Sequence, residues 1–289
     1  MKMKHAFKPA LTRRSFLKQS LVAGGAVMLP QIVPGRVLGL DGGVAPSARI
    51  VMGGFGIGGR GGSDLAVLLH EPDVQFVAIA DIRATRRQAV KDAADQQNGD
   101  KGCAMYRDFR ELLARKDVDA LLIATGDRWH SLASILTAKA GKDMYCEKPC
   151  STNIADSVAL AETMRRYSRV YQAGTQRRNV SNFVFAVELA RTGKLGKLHT
   201  VHANTLAPGT KLDWLPAEPE PARDVCDWDM WLGPCPWRPY NSQYVAGRWR
   251  NHFDFHGGGI LEWGSHTIDL CQWANDADKT VPVEYEPNE

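Results

Sequence analysis

From residue 49 onward the chain alternates between short apolar runs and longer stretches in which apolar residues return every three or four positions. The first run, "RIVMGGF" (49–55), leads through a glycine-rich turn into a helical stretch over 63–69. The second runs from Val74 to Ala80 and ends at an acid, Asp81. Beyond it the pattern predicts helices over 85–96 and 108–115, a strand over 119–124 and a helix over 132–140. A strand over 143–146, a helix over 154–167 and a strand over 170–173 complete the series. Apolar runs of this length, separated by helical stretches, are the signature of buried parallel strands with crossover helices. The prediction is an α/β chain whose first half, 46–174, is a Rossmann dinucleotide-binding domain.

The second half is less regular. A helix over 183–191 precedes "GKLGKLHTVHANT" (193–205), read as a turn and an alternating strand. The region from Trp214 to Trp249 is rich in Pro and Trp, and six of the eight tryptophans fall between Trp214 and Trp263. Their flat apolar faces suit the C–H faces of a sugar ring, although core packing is their more usual work. "GGGILEWGSHTIDL" (257–270) spaces Glu262 and His266 four apart, which puts both on one face of a helix. Residues 175–289 are read as an α+β substrate domain, in which "VPVEYEPNE" (281–289) offers one strand at most.

The N-terminal 39 residues have a different character. "TRRSFLKQSLVAGGAVMLP" (12–30) joins two arginines and Phe-Leu-Lys to an apolar run too short to span a bilayer. That is the pattern of a twin-arginine export signal occupying 1–39. It predicts engagement of the twin-arginine export machinery, a periplasmic or otherwise exported product, and no stable membrane anchor.

The signal also changes the charge. The chain carries 36 Lys and Arg against 32 Asp and Glu, but the first 39 residues hold seven of the bases and no acid. The remainder has 29 bases against 32 acids, so no global attraction for nucleic acid is expected. The six cysteines show no compact framework and are read as free thiols; Cys226 and Cys235 are the pair best placed to bridge. No metal-binding pattern stands out.

Two registers of G-x-G-x-x-G fit the glycine turn: 54-56-59 and 56-58-61. The second leaves the strand intact and puts Asp81 twenty residues beyond Gly61. In it Gly56 makes the tight turn, Gly58 lets the backbone approach a pyrophosphate, and Gly61 lets helix and strand pack closely. The amides of the following helix face the phosphates. The carboxylate of Asp81 would accept from the ribose hydroxyls and repel a 2′-phosphate, favouring NAD. Arg83 is close enough to receive that phosphate, which keeps NADP as an alternative.

Five segments together resemble the glucose–fructose oxidoreductase/inositol dehydrogenase family, Gfo/Idh/MocA: "GIGGRG" (56–61), "ATGDRWH" (124–130), "YCEKP" (145–149), "AGTQRR" (173–178) and "GGGILEWGSH" (257–266). The resemblance implies that Gly56, Ile57, Gly58, Gly61, Asp81, Arg83, Thr125, His130, Glu147 and Lys148 hold the dinucleotide. It puts Lys148 at the nicotinamide and Glu147 near its ribose, and takes Arg178 and Trp263 to the substrate. The family has an Asp-x-x-x-His pair where this chain has Glu262 and His266; Glu262 would orient His266 or, with its longer reach, touch the substrate instead. Exported members often carry Pro and His where this chain has Gly126 and Arg128.

The implied chemistry is hydride transfer from a sugar hydroxyl, with Lys148, His266 and Glu262 catalytic. Lys148 would stabilise the developing alkoxide, and either Lys148 or His266 could be the base. Folding before export implies a cofactor that stays bound. The alternatives are a glycosidase that oxidises a sugar transiently, and a sugar-binding relic without turnover. The resemblance also implies an open-faced sheet in residues 175–289, truncated here, and a complete sheet would allow a homo-oligomer.

Overall fold

The computed structural model describes residues 44–205, 213–250 and 252–286. The twin-arginine stretch lies outside the described residues. Residues 49–289 form one compact unit.

Six parallel strands make its sheet, in the order β3-β2-β1-β4-β5-β6. They are β1 (Ile50–Phe55), β2 (Val74–Ala80), β3 (Ala104–Tyr106), β4 (Ala120–Ile123), β5 (Asp143–Cys146) and β6 (Tyr171–Ala173). The order reverses at β1, which pairs with β2 on one side and β4 on the other. Ligands of such sheets bind beyond the strand ends at that reversal. The connecting helices are α1 (Gly59–Leu68), α2 (Ala84–Asn98), α3 (Phe109–Leu113), α4 (Asp127–Lys139) and α5 (Ile154–Tyr167).

Both faces of the sheet are covered, as the unbroken apolar strands require. Phe55, Leu121 and Ile123 pack with Phe109 and Leu112 on one face. Met52, Phe76, Ile79 and Leu122 pack with Leu65 and Val90 on the other. Met52 pairs with Phe76 and Gly53 with Ala78, so Val77 is an extra residue in β2. That bulge sends Phe76 and Ala78, two apart, to opposite faces.

Local chemistry sets the helix ends. Asn153 caps α5 by accepting from Asp156 N at 2.9 Å, and Asp108 caps α3 by accepting from Arg110 N. α4 begins at Asp127, five residues before the expected Leu132, so "DRWH" is its first turn rather than a loop.

The second half contributes α6 (Ser181–Arg191), α7 (Trp228–Leu232), α8 (Gly258–Glu262) and α9 (Gly264–Ala274). Trp228, Trp231, Leu232, Tyr244 and Phe255 form a third core, with Ile82 packed against it. Trp228 and Trp231 stack at 4.7 Å. Backbone bonds join this segment to the end of β2: Asp227 N donates to Ile82 O, and Ala84 N donates to Val225 O. Neither the alternating strand expected in 193–205 nor one in 281–286 is formed. An alternating stretch becomes a strand only against a partner, and no described residue after 175 supplies one.

Candidate active site

A cavity of about 460 Å3 opens along the carboxyl ends of β1, β2, β4 and β5 and is closed from the other side by the second half. Its floor is the glycine turn. Gly56 has φ +69°, and a Cβ there would run into the Thr125 side chain and sit 2.8 Å from its Cα. At Gly61 a Cβ would lie 2.5 Å from Ala124 Cβ, so only glycine lets α1 rest on the end of β4. A Cβ on Gly58 would collide with the Arg86 guanidinium, whereas Gly59 has open space. Gly54 is tight as well, a Cβ there lying 2.9 Å from Leu122 O, so the open space at Gly59 against the close approach at Gly61 is what selects the 56-58-61 register. The Ile57 side chain is buried in the core, leaving only its backbone for a ligand.

At the β2 end of the cavity Asp81 is buried. Its Oδ1 accepts from Arg83 N at 2.8 Å, while Oδ2 has no partner among the described residues. Burial raises its pKa, countered by the Arg83 amide and the nearby Arg86, Arg83 and Arg87 side chains. Arg83 reaches across to Val245 O at 3.3 Å, leaving its Nε unpartnered. A buried carboxylate oxygen without a donor costs free energy, and a pair of ribose hydroxyls supplies donors. The glycine cradle and this orphan oxygen fit an adenosine ribose with its diphosphate.

The other end is built on the residues after β5. Glu147 N donates to Ile123 O, and Glu147 Oε2 accepts from Lys148 N at 3.2 Å. Arg60 holds Glu147 Oε1 at 3.4 Å and Asp64 at 2.5 Å. Burial, with Asp64 adding like charge, pushes the Glu147 carboxyl up to about 7. Lys148 Nζ donates to the backbone oxygen of Glu262 at 2.8 Å. His130 is fully enclosed, its ring nitrogens 2.6 Å from Pro149 O and 3.1 Å from Thr125 O. It borders the cavity but is spent on tying the two loops together.

His266 is buried, with Nδ1 lacking any partner among the described residues. Burial, then the charges of Lys148 and Arg177, pull its pKa down to about 4, with Asp269 opposing. The imidazole is therefore neutral at pH 7. Lys148, Glu262 and His266 all line the same cavity.

The expected Glu262–His266 pairing is not what forms. Trp263 separates α8 from α9, so the two residues sit on successive helices. Glu262 Oε2 faces His256 Nε2 at 3.2 Å, and Oε1 accepts from Arg250 Nε at 2.8 Å. His256 Nδ1 accepts from Gly258 N at 3.1 Å, which leaves its proton on Nε2 to donate to Glu262. The His256 bond, then Arg250, holds the Glu262 carboxyl down at about 2.

The two residues expected to bind substrate are not brought to the cavity. Arg178 forms ion pairs with Asp269 at 2.7 Å and Asp278 at 2.8 Å. Trp263 is 38 % exposed, its ring edge-on to His266 at 6.4 Å and 5.5 Å from the Arg177 guanidinium. The sequence reading missed the cavity residues Arg60, Trp231, Trp249 and Arg250, and His256 behind Glu262. Only the tryptophan-rich composition hinted at them: Arg60 meets Glu147 87 residues away, and Arg250 and His256, 12 and 6 residues before Glu262, lie in a stretch without helical or strand periodicity.

The sheet order and its cradle define a dinucleotide-binding α/β protein. Residues 48–175 match the family model "Oxidoreductase family, NAD-binding Rossmann fold", and 207–288 match "Oxidoreductase family, C-terminal alpha/beta domain". The two are the halves of one family, and the chain belongs to it: the Gfo/Idh/MocA oxidoreductases. It is similar to myo-inositol 2-dehydrogenase of Thermotoga maritima, 30% identical over 157 residues, 54% of this chain and 45% of that protein. It is also similar to a glycosyl hydrolase family 109 protein of Shewanella baltica, 30% identical over 173 residues, 53% of this chain and 37% of that one. Among solved structures, GenD2 from gentamicin A biosynthesis, in complex with NAD, superposes with a TM-score of 0.56 at 21% identity, over 86% of this chain and 57% of that one. That likeness is one of fold. The chain spans less than half the length of these curated relatives.

Proposed function

We propose that this chain performs NAD-dependent oxidation or reduction at a hydroxyl-bearing carbon of a sugar or cyclitol. The observation that carries the reading is the convergence of Lys148 and the unpartnered Nδ1 of His266 on a cavity whose other end is the glycine cradle. The dehydrogenase similarity over 54% of the chain supports the reaction class.

Bound dinucleotide supplies hydride acceptance at its nicotinamide ring. Gly56, Gly58, Gly61 and Thr125 would seat it, Asp81 its adenosine ribose and Glu147 its other ribose. Lys148 spends one N–H on Glu262 O, which fixes the ammonium and leaves two N–H groups for the substrate oxygen. Donation there stabilises alkoxide charge as it develops. His266, neutral with a vacant nitrogen, takes the hydroxyl proton at Nδ1. The Lys148 charge that lowers the His266 pKa is offset as the substrate oxygen turns anionic, so proton uptake and alkoxide formation favour one another. Glu262 stays charged and anchors the segment that carries the Lys148 acceptor.

The test is a spectrophotometric one at 340 nm. Purified protein with NAD and myo-inositol, or a panel of neutral and acidic sugars, should form NADH with at least one of them, and Lys148→Ala should slow that turnover by about 10²–10³. No dinucleotide binding, combined with no turnover on the panel, overturns the reading. The similarity to the glycosyl hydrolase family 109 protein sustains a second reading, transient oxidation with net glycoside cleavage. Cleaved nitrophenyl glycoside without net NADH would select it.

We further propose that residues 1–39 direct export by the twin-arginine route with the cofactor already bound. The Arg13-Arg14 pair and the short apolar run support this. Replacing both arginines by lysine should strand the protein in the cytoplasm, and unchanged fractionation would reject the route.

A further inference from the structure

Arg128 is not accounted for by the chemistry above. It lies in the first turn of α4, borders the cavity and is only 7 % exposed. Its guanidinium stacks on Trp231, with Cζ 3.6 Å from the ring centroid, and its Nε donates to Trp231 O at 2.8 Å. Trp249 and Phe255 stand 5.8 and 5.7 Å away. Nη1 has no hydrogen-bond partner among the described residues.

Three other cavity cations are matched by carboxylates; of the rest, Arg83 and Arg86 lie near the charge of the buried Asp81 and Lys148 donates to Glu262 O. Arg60 is held by Asp64 and Glu147, Arg250 by Glu262 and Arg107 by Asp227. Asp127, next to Arg128 in the chain, faces His256 at 3.7 Å and Gly257 N at 3.5 Å instead. Among the described residues Arg128 forms no ion pair, and burial pulls its pKa down to about 10. Gly126 is part of the arrangement: a Cβ there would collide with Arg128 Nη1. The chain thus leaves room for a buried cation, orients it on an aromatic face and gives it no ion-pair partner among the described residues, Asp127 acting on it only at a distance. Structural arginines at such depth are normally paired, because an unpaired buried charge is costly.

We propose that Arg128 is an anion receptor in the wall of the cavity, taking a carboxylate or phosphate oxygen of a bound ligand. The inference rests on reading the cavity as a dinucleotide and sugar site. Two ligands present there could bring that oxygen: the dinucleotide through its diphosphate, or the sugar through an acidic substituent. A planar guanidinium held by stacking suits either oxygen pair.

Arg128→Met keeps the stem on Trp231 and removes the charge, while Gly126→Ala keeps the charge and displaces it. Calorimetric titration of wild type and both variants with ADP-ribose and NAD reads the diphosphate. Titration of the NAD-saturated proteins with glucuronate and glucose reads the substrate acid. If the diphosphate is the partner, both variants should bind ADP-ribose and NAD at least tenfold more weakly. If the acid is, NAD affinity should hold, glucuronate binding should fall at least tenfold and glucose should be unaffected. Variant affinities within twofold of wild type for ADP-ribose, NAD and glucuronate overturn the proposal, as does a wild type that binds glucuronate no better than glucose while ADP-ribose is unmoved. The melting temperature of ligand-free Arg128→Met should match or exceed wild type, separating receptor loss from misfolding. Should wild type bind neither NAD nor ADP-ribose, the dinucleotide reading fails while inorganic pyrophosphate still tests the receptor. Binding by wild type and not by Arg128→Met would sustain it, and no binding by either would reject it.

Discussion

Replacing Glu262 by glutamine should destabilise the protein at neutral pH and leave it unchanged in strong acid. The carboxylate is held by His256 and Arg250, and its pKa stands at about 2 instead of 4.5. Taken at face value that difference corresponds to ~3 kcal/mol of folding free energy. A quarter of the side chain is exposed (25%), and solvent screening reduces the figure to about 1–2 kcal/mol. For a unit of this size that is a fall in Tm of about 2–8 °C. The folded-state pKa is depressed, so the stabilisation is complete above the unfolded value near 4.5 and disappears as pH falls toward 2. Thermal unfolding followed by circular dichroism between pH 2 and 7 should therefore show the two proteins diverging through pH 3–5. Glu262→Gln should be the flatter of the two. Equal Tm at pH 7, or a gap that persists undiminished at pH 2.5, would refute the account of Glu262 as a charged anchor.

Gly61→Ala should cost about 1–3 kcal/mol by overpacking against Ala124, whereas Gly59→Ala, in open space, should leave Tm unchanged or raise it; denaturant titration compares them. Asp81→Ala should weaken NAD binding and narrow its preference over NADP, read from the two dissociation constants, and an unchanged ratio would remove Asp81 from the ribose site. Lys148→Ala should lower kcat by about 10²–10³ with a much smaller change in NAD affinity, as for loss of an oxyanion donor. His266→Ala and Glu262→Gln should have independent effects on kcat/KM, since the two side chains do not meet; strong coupling in the double variant would show that they do during turnover.

The nucleotide half was legible because its signals are local. Val74–Ala80 is an apolar run broken only by Gln75 and ending at an acid, and Ile154–Tyr167 has a capping residue at Asn153. The strand Ala104–Tyr106 was missed because three residues at a sheet edge carry no period. The reading of Glu262 and His266 as partners relied on helical spacing alone. Trp263 interrupts the helix, and Arg250 and His256, from the preceding segment, draw the carboxylate away. Arg178 failed for a similar reason, its partners Asp269 and Asp278 lying 91 and 100 residues further on. Spacing reports which residues share an element, but competition among charges decides which of them meet.

The bonds between the end of β2 and the tryptophan segment bear on time as much as on structure. Asp227 N to Ile82 O, Ala84 N to Val225 O and Arg83 to Val245 O span the side of the cavity where the adenosine half would lie. A dinucleotide seated beneath them leaves only as often as that strap parts, so its residence is governed by an opening rate in addition to contact affinity. Hydrogen exchange at the Ala84 and Asp227 amides measures that rate directly. Under the proposed function, that rate would set how many turnovers one molecule of cofactor serves before it is lost.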